Sequence, residues 1–460
     1  MRRTVLPIAL VLAVAFLAAA AAAQAPPAAP AAPVKLTLAE AVAIAAGETP
    51  AVRLAALRTD EARSRRTQAR AALLPSLSGS AFVTDRTFSF AAMGIGFVQL
   101  PGVTIPDRIG PVNQVDARLR ATQALVDAAS WVRLRAAGLG VGVSRAEQAG
   151  AAEAAAQAAA LAYVRGARAA ALVRAREADL ELARQLTAMA EDQLRAGTAA
   201  RIDATRARTQ EAATRGALLV ARNQADRATI ELARALGLDA ATRFELPDVL
   251  ALSLDAPQEA GALPTSDAPA GAEAAVAAAL ARRPELDAER SRLARARSEA
   301  RAVQAERLPR LDVSADYGLS GDHWDGSVTT RSATLAVSMP VFDGLRREGR
   351  ASEQAAVARE ADVRRRDLER QVAAEVRAAA LDLSSGTEQE AVALERQRLA
   401  EEELAQARER FASGVAGNIE VIGAQSSLLR ARDALIDARA ATASARVALA
   451  RAVGVARTVR

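Results

Sequence analysis

The chain has no cysteine, one histidine, one lysine and very few aromatic residues. Without cysteine it forms no disulfide, carries no lipid on an N-terminal cysteine and supports no thiol chemistry. Histidine-dependent catalysis would rest on His323 alone, which stands beside Trp324 with no partner nearby in sequence. Beyond the first two dozen residues no apolar run reaches the ~20 residues that a membrane-spanning helix needs. A helical integral membrane protein is therefore excluded. No glycine-rich phosphate loop stands between a strand and a helix, and no basic stripe interleaved with aromatics marks a nucleic-acid surface. The formal charge of +6 comes from arginines interspersed with glutamates and aspartates, the pattern of solvated, ion-paired helix faces. These absences leave no catalytic residue, metal site, cofactor site or nucleic-acid partner to assign, and the chain is not expected to be an enzyme.

What is present begins with an export signal. Arg2 and Arg3 form a basic region, Leu6 to Leu17 an apolar core, and Ala21-Ala22-Ala23 a small-residue cleavage site before Gln24. Residues 1–23 are expected to be removed. Proline-rich residues 24–33 read as a flexible lead-in. Alanine is abundant, which suits helices that approach closely better than a bulky globular core.

The rest of the chain is written twice. Pro50 and Pro75 recur as Pro284 and Pro309, each enclosing a charged helical stretch closed by Leu-Pro-x-Leu, at 74–77 and 308–311. A second block, Gly197 to Gly237, aligns without gaps on Gly414 to Gly454, with Ile202-Asp203 falling on Ile419-Glu420. Leu125-Val126-Asp127 corresponds to Val341-Phe342-Asp343. Residues 24–239 thus form one repeat and 272–460 a second, joined by a linker over 240–271 that is rich in proline, glycine and aspartate.

Each Leu-Pro leads into a segment of period two. Leu77, Gly79, Ala81 and Val83 alternate with polar residues, as do Val115, Ala117, Leu119 and Ala121. In the second half Leu311, Val313, Ala315 and Tyr317 do the same, then Ala333, Leu335 and Val337. Each segment is near the ~9–11 residues that a tilted strand needs to cross a bilayer. Four strands cannot close a barrel, the smallest membrane barrels having about eight, and open edges cannot exist in lipid. Several copies must therefore share one barrel. The loops between paired strands are expected at 91–111 and 320–327.

Two proline-free stretches, 131–195 and 345–412, exceed ordinary globular helices and imply a coiled coil or bundle, the second interrupted in composition only near Ser384-Ser385-Gly386. In the last helix Val421, Leu428, Leu435, Thr442 and Leu449 recur every seven residues, with Ala424, Ala431, Ala438 and Ala445 three residues behind. Large residues at one core position and alanine at the other predict a narrow antiparallel seam. The first-half series Ala204, Glu211, Leu218, Ala225 and Leu232 is broken by Glu211.

This duplicated helix–strand–strand–long-helix–turn–helix unit resembles the TolC-like outer-membrane efflux proteins over nearly the whole chain after residue 35. Its marks are the two Leu-Pro-x-Leu strand starts, Val-Phe-Asp-Gly at 341–344 and the paired glycine turns. The resemblance implies a mainly α fold with a small β part. In it, duplicated long-helix hairpins form an α-barrel, and four transmembrane β-strands per chain contribute to an oligomeric β-barrel. It implies a homotrimer in outer-membrane lipid with a large periplasmic extension, a passive conduit for efflux or type I secretion. An inner-membrane pump of RND or ABC type would drive it through a periplasmic adaptor. The adaptor-facing turns would carry Gly197, Thr198, Ile202 and Asp203 in one half and Gly414, Val415, Ile419 and Glu420 in the other, with Glu420 the candidate periplasmic gate; Asp203 and Glu420 equally suit a helix-capping role at the positive dipole end. The alternative is a periplasmic adaptor, which would carry one hairpin rather than two.

Overall fold

A computed structural model describes residues 34–89, 92, 108–198, 200–246, 269–413, 415 and 417–459. The signal-like residues 1–23, the proline-rich lead-in, most of the first strand-connecting loop and most of the linker lie outside them.

The two halves repeat one element order. The first comprises α1 (Leu38–Glu48), α2 (Pro50–Ala71), β2 (Ser76–Ser89), β3 (Arg108–Val126), α3 (Ala128–Arg195) and α4 (Arg201–Leu236). The second comprises α5 (Pro269–Arg282), α6 (Pro284–Ala305), β5 (Arg310–Gly321), β6 (Val328–Ser338), α7 (Arg346–Ala412) and α8 (Asn418–Val453). Two further short strands, β1 (Val34–Lys35) and β4 (Phe244–Glu245), pair in parallel and tie the start of the described chain to the segment after α4. α3 and α7 have 68 and 67 residues and α4 and α8 have 36 each, so each long helix extends about 100 Å. Among the described residues no helix is long and apolar enough to cross a membrane.

Local chemistry sets the boundaries. Pro50 and Pro284 open α2 and α6, the position where proline's missing N–H costs nothing. Thr37 and Glu40 form a reciprocal capping box at α1, and these hydrogen bonds from Thr37 hold the Glu40 carboxyl below its ordinary range. Asp127 caps α3 through Ser130, accepting from its backbone N–H at 3.0 Å and its hydroxyl at 2.6 Å. The counterpart, Asp343, instead accepts from Arg347 Nε at 2.8 Å in an irregular stretch before α7. The aligned triplets thus hold the same sequence register but different structure. The Ser384-Ser385-Gly386 stretch leaves α7 unbroken. A Cβ on Gly386 would sit 3.2 Å from Thr442 Oγ1, so the glycine serves close approach of α7 and α8.

Packing follows the seven-residue series. Val421, Ala424, Leu428 and Ala431 of α8 are buried with Ala400, Leu404, Ala407 and Phe411 of α7 and with Leu186 of α3. In α4 the first-half series continues three residues on as buried Ala207, Thr214 and Ala221, while Glu211 turns to the hairpin's flank near Arg184. A collar wraps the midpoint of the bundle. α1 packs on Ala156, Ala159, Ala160 and Tyr163 of α3, and α5 and α6 pack on Val372 and Val376 of α7. Tyr163 donates its hydroxyl to Leu36 O at 2.9 Å, and burial pushes its pKa up to about 12.

The four long strands form one antiparallel sheet in the order β2-β3-β5-β6, so the duplicated halves meet at the β3–β5 pair. Its register sorts every side chain onto one of two faces. Leu77, Ala121, Ala315 and Ala333 are cross-strand neighbours on one face, as are Leu119 and Tyr317, and Val313 and Leu335. Ser78, Arg120, Asp316 and Ser332 lie in one row across all four strands on the other. The alternation read in the sequence is therefore a sheet with an apolar face and a polar face. Leu77, Val83, Leu119, Tyr317, Leu335 and Val337 are each more than half exposed, and among the described residues no helix packs across either face. Among the described residues both outer strands, β2 and β6, are free edges.

Candidate functional site

The two hairpin turns are built alike. α3 ends at Arg195, Gly197 adopts φ +73°, and Thr198 N donates to Gln193 O at 2.9 Å while Gly197 N donates to Leu194 O at 3.1 Å. This is the double hydrogen bond that closes a helix through a left-handed residue. A Cβ on Gly197 would meet nothing within 4 Å, so the dihedral and not space selects glycine. The Thr198 hydroxyl adds a bond to Gln193 O at 3.1 Å. At the second turn Val415 N donates to Arg410 O at 2.9 Å, the same bond 217 residues later. Gly414 lies outside the described residues.

The returning helices start without a side-chain cap. Asp203 and Glu420 fall in their first turns, where the helix dipole favours a carboxylate. Glu420 also faces Arg410 across its own hairpin at 3.3 Å. The candidate gate residue is thus a half-exposed, ion-paired side chain. Around these turns the large apolar side chains point outward: Ile202 is 55% exposed, Ile419 65% and Val415 72%.

The structure brings the two turns together through a residue outside the candidate set. Asn418, fully buried, donates its Nδ2 to the Asp203 carbonyl at 2.9 Å. Above it the hairpins meet along a polar seam. Arg176 of α3 bonds Asp179 at 2.9 Å and reaches Asp433 of α8 at 2.5 Å, Arg432 bonds Asp179 at 3.0 Å, and Arg168 reaches Asp437 at 2.6 Å. Burial disfavours the Arg176 charge, but Asp433 and Asp179 outweigh it and hold the pKa above the ordinary value. The signal for this seam was present as Asn418, Gln425 and Arg432, a second seven-residue series beside the apolar one. It passes unnoticed when periodicity is sought only among apolar residues.

Two long-helix hairpins hung from an amphipathic, open-edged sheet define a channel-forming protein of the barrel-and-tunnel class. The sequence profile of the outer membrane efflux protein family matches residues 42–238 and 275–455, and the chain belongs to that family. A search of curated protein sequences returns no significant match. Among solved structures the chain is similar to the outer membrane protein VceC from Vibrio cholerae, with 21% identity, a TM-score of 0.73 and 91% of this chain covering 96% of that one. It is similar to the Campylobacter jejuni CmeC outer membrane channel, at 16% identity and a TM-score of 0.73, covering 91% of this chain and 86% of CmeC. For the open state of the Neisseria gonorrhoeae MtrE outer membrane channel the values are 18%, 0.72, 91% and 88%. At these identities the likeness establishes the fold. The family is one of transport channels rather than enzymes.

Proposed function

We propose that the chain is the outer-membrane channel of a tripartite efflux or type I secretion system. It is a passive conduit from periplasm to exterior, driven by an inner-membrane pump of RND or ABC type through a periplasmic adaptor. On this reading residues 1–23 are a cleaved signal, 24–239 and 272–460 the two repeats and 240–271 their linker, and the mature, unlipidated protein is a homotrimer. The observation that carries the proposal is the sheet. Among the described residues most of its apolar face is exposed and its edge strands have no partner, a state that lipid forbids unless other copies supply the missing strands. Three copies of four strands close a twelve-stranded barrel, within the range of known membrane barrels. The hairpins then hang below as an α-barrel.

Gly197, Thr198, Ile202, Asp203, Gly414, Val415, Ile419 and Glu420 would form the adaptor-facing tip, with Glu420 at the gate. The exposed Ile202, Val415 and Ile419 support this assignment, since among the described residues nothing covers them. The adaptor reading of the chain itself gains no support, because two hairpins occur and each follows a strand pair.

A photo-crosslinker at Val415, 72% exposed at the second turn, in living cells should capture an exported protein that carries a single long helical hairpin. Ile202→Glu with Ile419→Glu should abolish that capture and leave trimer assembly intact. Undiminished capture by the double variant would overturn the tip assignment.

A further inference from the structure

On the polar face of the sheet four charges stand together in three successive rows: Asp116, then Arg118, then Arg120 with Asp316. They cancel in number but not in position. Asp116 is fully buried and Asp316 is 13% exposed, whereas Arg118 is 28% exposed and Arg120 is 57% exposed. The carboxylates are also the better satisfied. Asp116 accepts from Arg118 Nε at 2.6 Å, and Asp316 accepts from Arg118 Nη1 at 3.3 Å and from Ser332 Oγ at 2.6 Å. Arg118 crosses from β3 to β5 over Gly318, where a Cβ would overlap both the Ala117 carbonyl and the Arg118 Cβ. Among the described residues the Arg120 guanidinium pairs with Asp316 Oδ1 at 3.9 Å. Each cluster is therefore a dipole with its negative end in the wall and its positive end facing out. Elsewhere on this face Arg310 pairs with Asp312 at 2.8 Å.

We propose that Arg120, supported by Arg118, forms a ring of guanidinium groups at the middle of the β-barrel lumen that favours anionic solutes, those bearing carboxylate, sulfonate or phosphate groups. The inference rests on the channel reading above, which turns the polar face inward and multiplies the cluster by the number of copies. The Arg120 row meets β5 (Arg310–Gly321) at Asp316 and β6 (Val328–Ser338) at Ser332, near the centre of each, and the Arg118 row lies next to it. A ring of one sign between low-dielectric walls concentrates oppositely charged solutes and falls off with ionic strength.

The absence of cysteine from the chain permits a direct test. Ser78, exposed and directly across from Arg120, is replaced by cysteine in the full-length protein in outer membranes. The thiol is labelled with two small methanethiosulfonates, one bearing a sulfonate and one a quaternary ammonium. After correction for their rates with a free small thiol, the anionic reagent should react about tenfold faster. Arg120→Gln in the same background should bring the ratio to within about twofold of free thiol, as should 1 M salt, while Arg120→Lys should preserve it. A ratio equal to that of free thiol, or one unmoved by Arg120→Gln, overturns the ring and leaves the channel standing. Ser78→Cys unreactive to both reagents also overturns the inference. Leu77→Cys, on the apolar face, separates the failure of the channel reading. If it labels as fast as Ser78→Cys with both reagents, both faces are wet and the barrel itself is refuted, together with the ring.

Discussion

Glu285 shows how single side chains hold the collar to the bundle. It lies in the first turn of α6 and receives Arg451 from α8. Burial alone would raise its pKa, but the Arg451 hydrogen bond, a backbone N–H and the charges of Arg451 and Arg283 outweigh burial and hold it below the ordinary value. A carboxylate with a lowered folded pKa contributes stability above its unfolded pKa and loses it as pH falls through the folded value. Glu285→Gln should therefore lower the midpoint of thermal unfolding at pH 7, and the gap from wild type should close below about pH 4. An equal gap at pH 7 and pH 3 would contradict this account. Glu153 plays a related part, fully buried and accepting from Ala456 N and Arg457 Nε, both at 2.7 Å, so that it fixes the segment after α8. Neither carboxylate was singled out in the sequence. Their partners lie 166 and 303 or more residues away, and no local spacing announces a contact at that range.

At the scale of helices and strands, the elements that were legible are those whose periodicity extends over many residues. The four alternating strands and the two long helices stand where the pattern placed them, and so does the α8 seam as far as Leu435; beyond it Ala440 and Ala443 are buried while Ala438 and Ala445 are only half-buried. Boundaries moved where capping decided them: α3 begins at Ala128 because Asp127 caps it, not at the first bulky residue, Trp131. Two features escaped for different reasons. The β1–β4 pair is only two residues long in each strand, too short for any period. The polar seam through Asn418 and Arg432 has a period but the wrong chemistry for a search confined to apolar residues. The glycine in α7 gives a test at this scale. Gly386→Leu must push Thr442 away across a closely packed seam, and overpacking of this kind costs about 1–3 kcal/mol. A lowered midpoint of thermal unfolding is expected, with Thr442→Ala recovering part of the loss by making room. An unaltered midpoint in Gly386→Leu would contradict the close approach of α7 and α8 at Gly386 and Thr442.

For the whole molecule, the decisive property is a mismatch between what one copy buries and what it leaves open. Each hairpin satisfies its backbone internally and buries side chains such as Phe411, Val421 and Leu428 at its seam, while Leu219, Val220, Leu381 and Val392 stay exposed on its flanks. The sheet leaves more open: among the described residues most of its apolar face is exposed, and the β2 and β6 edges present unpaired backbone groups. Water would tolerate those edges at the risk of aggregation, but lipid would not. The repeat in the sequence and the sheet in the structure make the same argument at two levels, since duplication doubled the strand pair without reaching the number that closes a barrel. Native mass spectrometry of the protein extracted from outer membranes in mild detergent tests this most directly. The account predicts a single species of three chains. A monomer recovered from the soluble periplasmic fraction would contradict it.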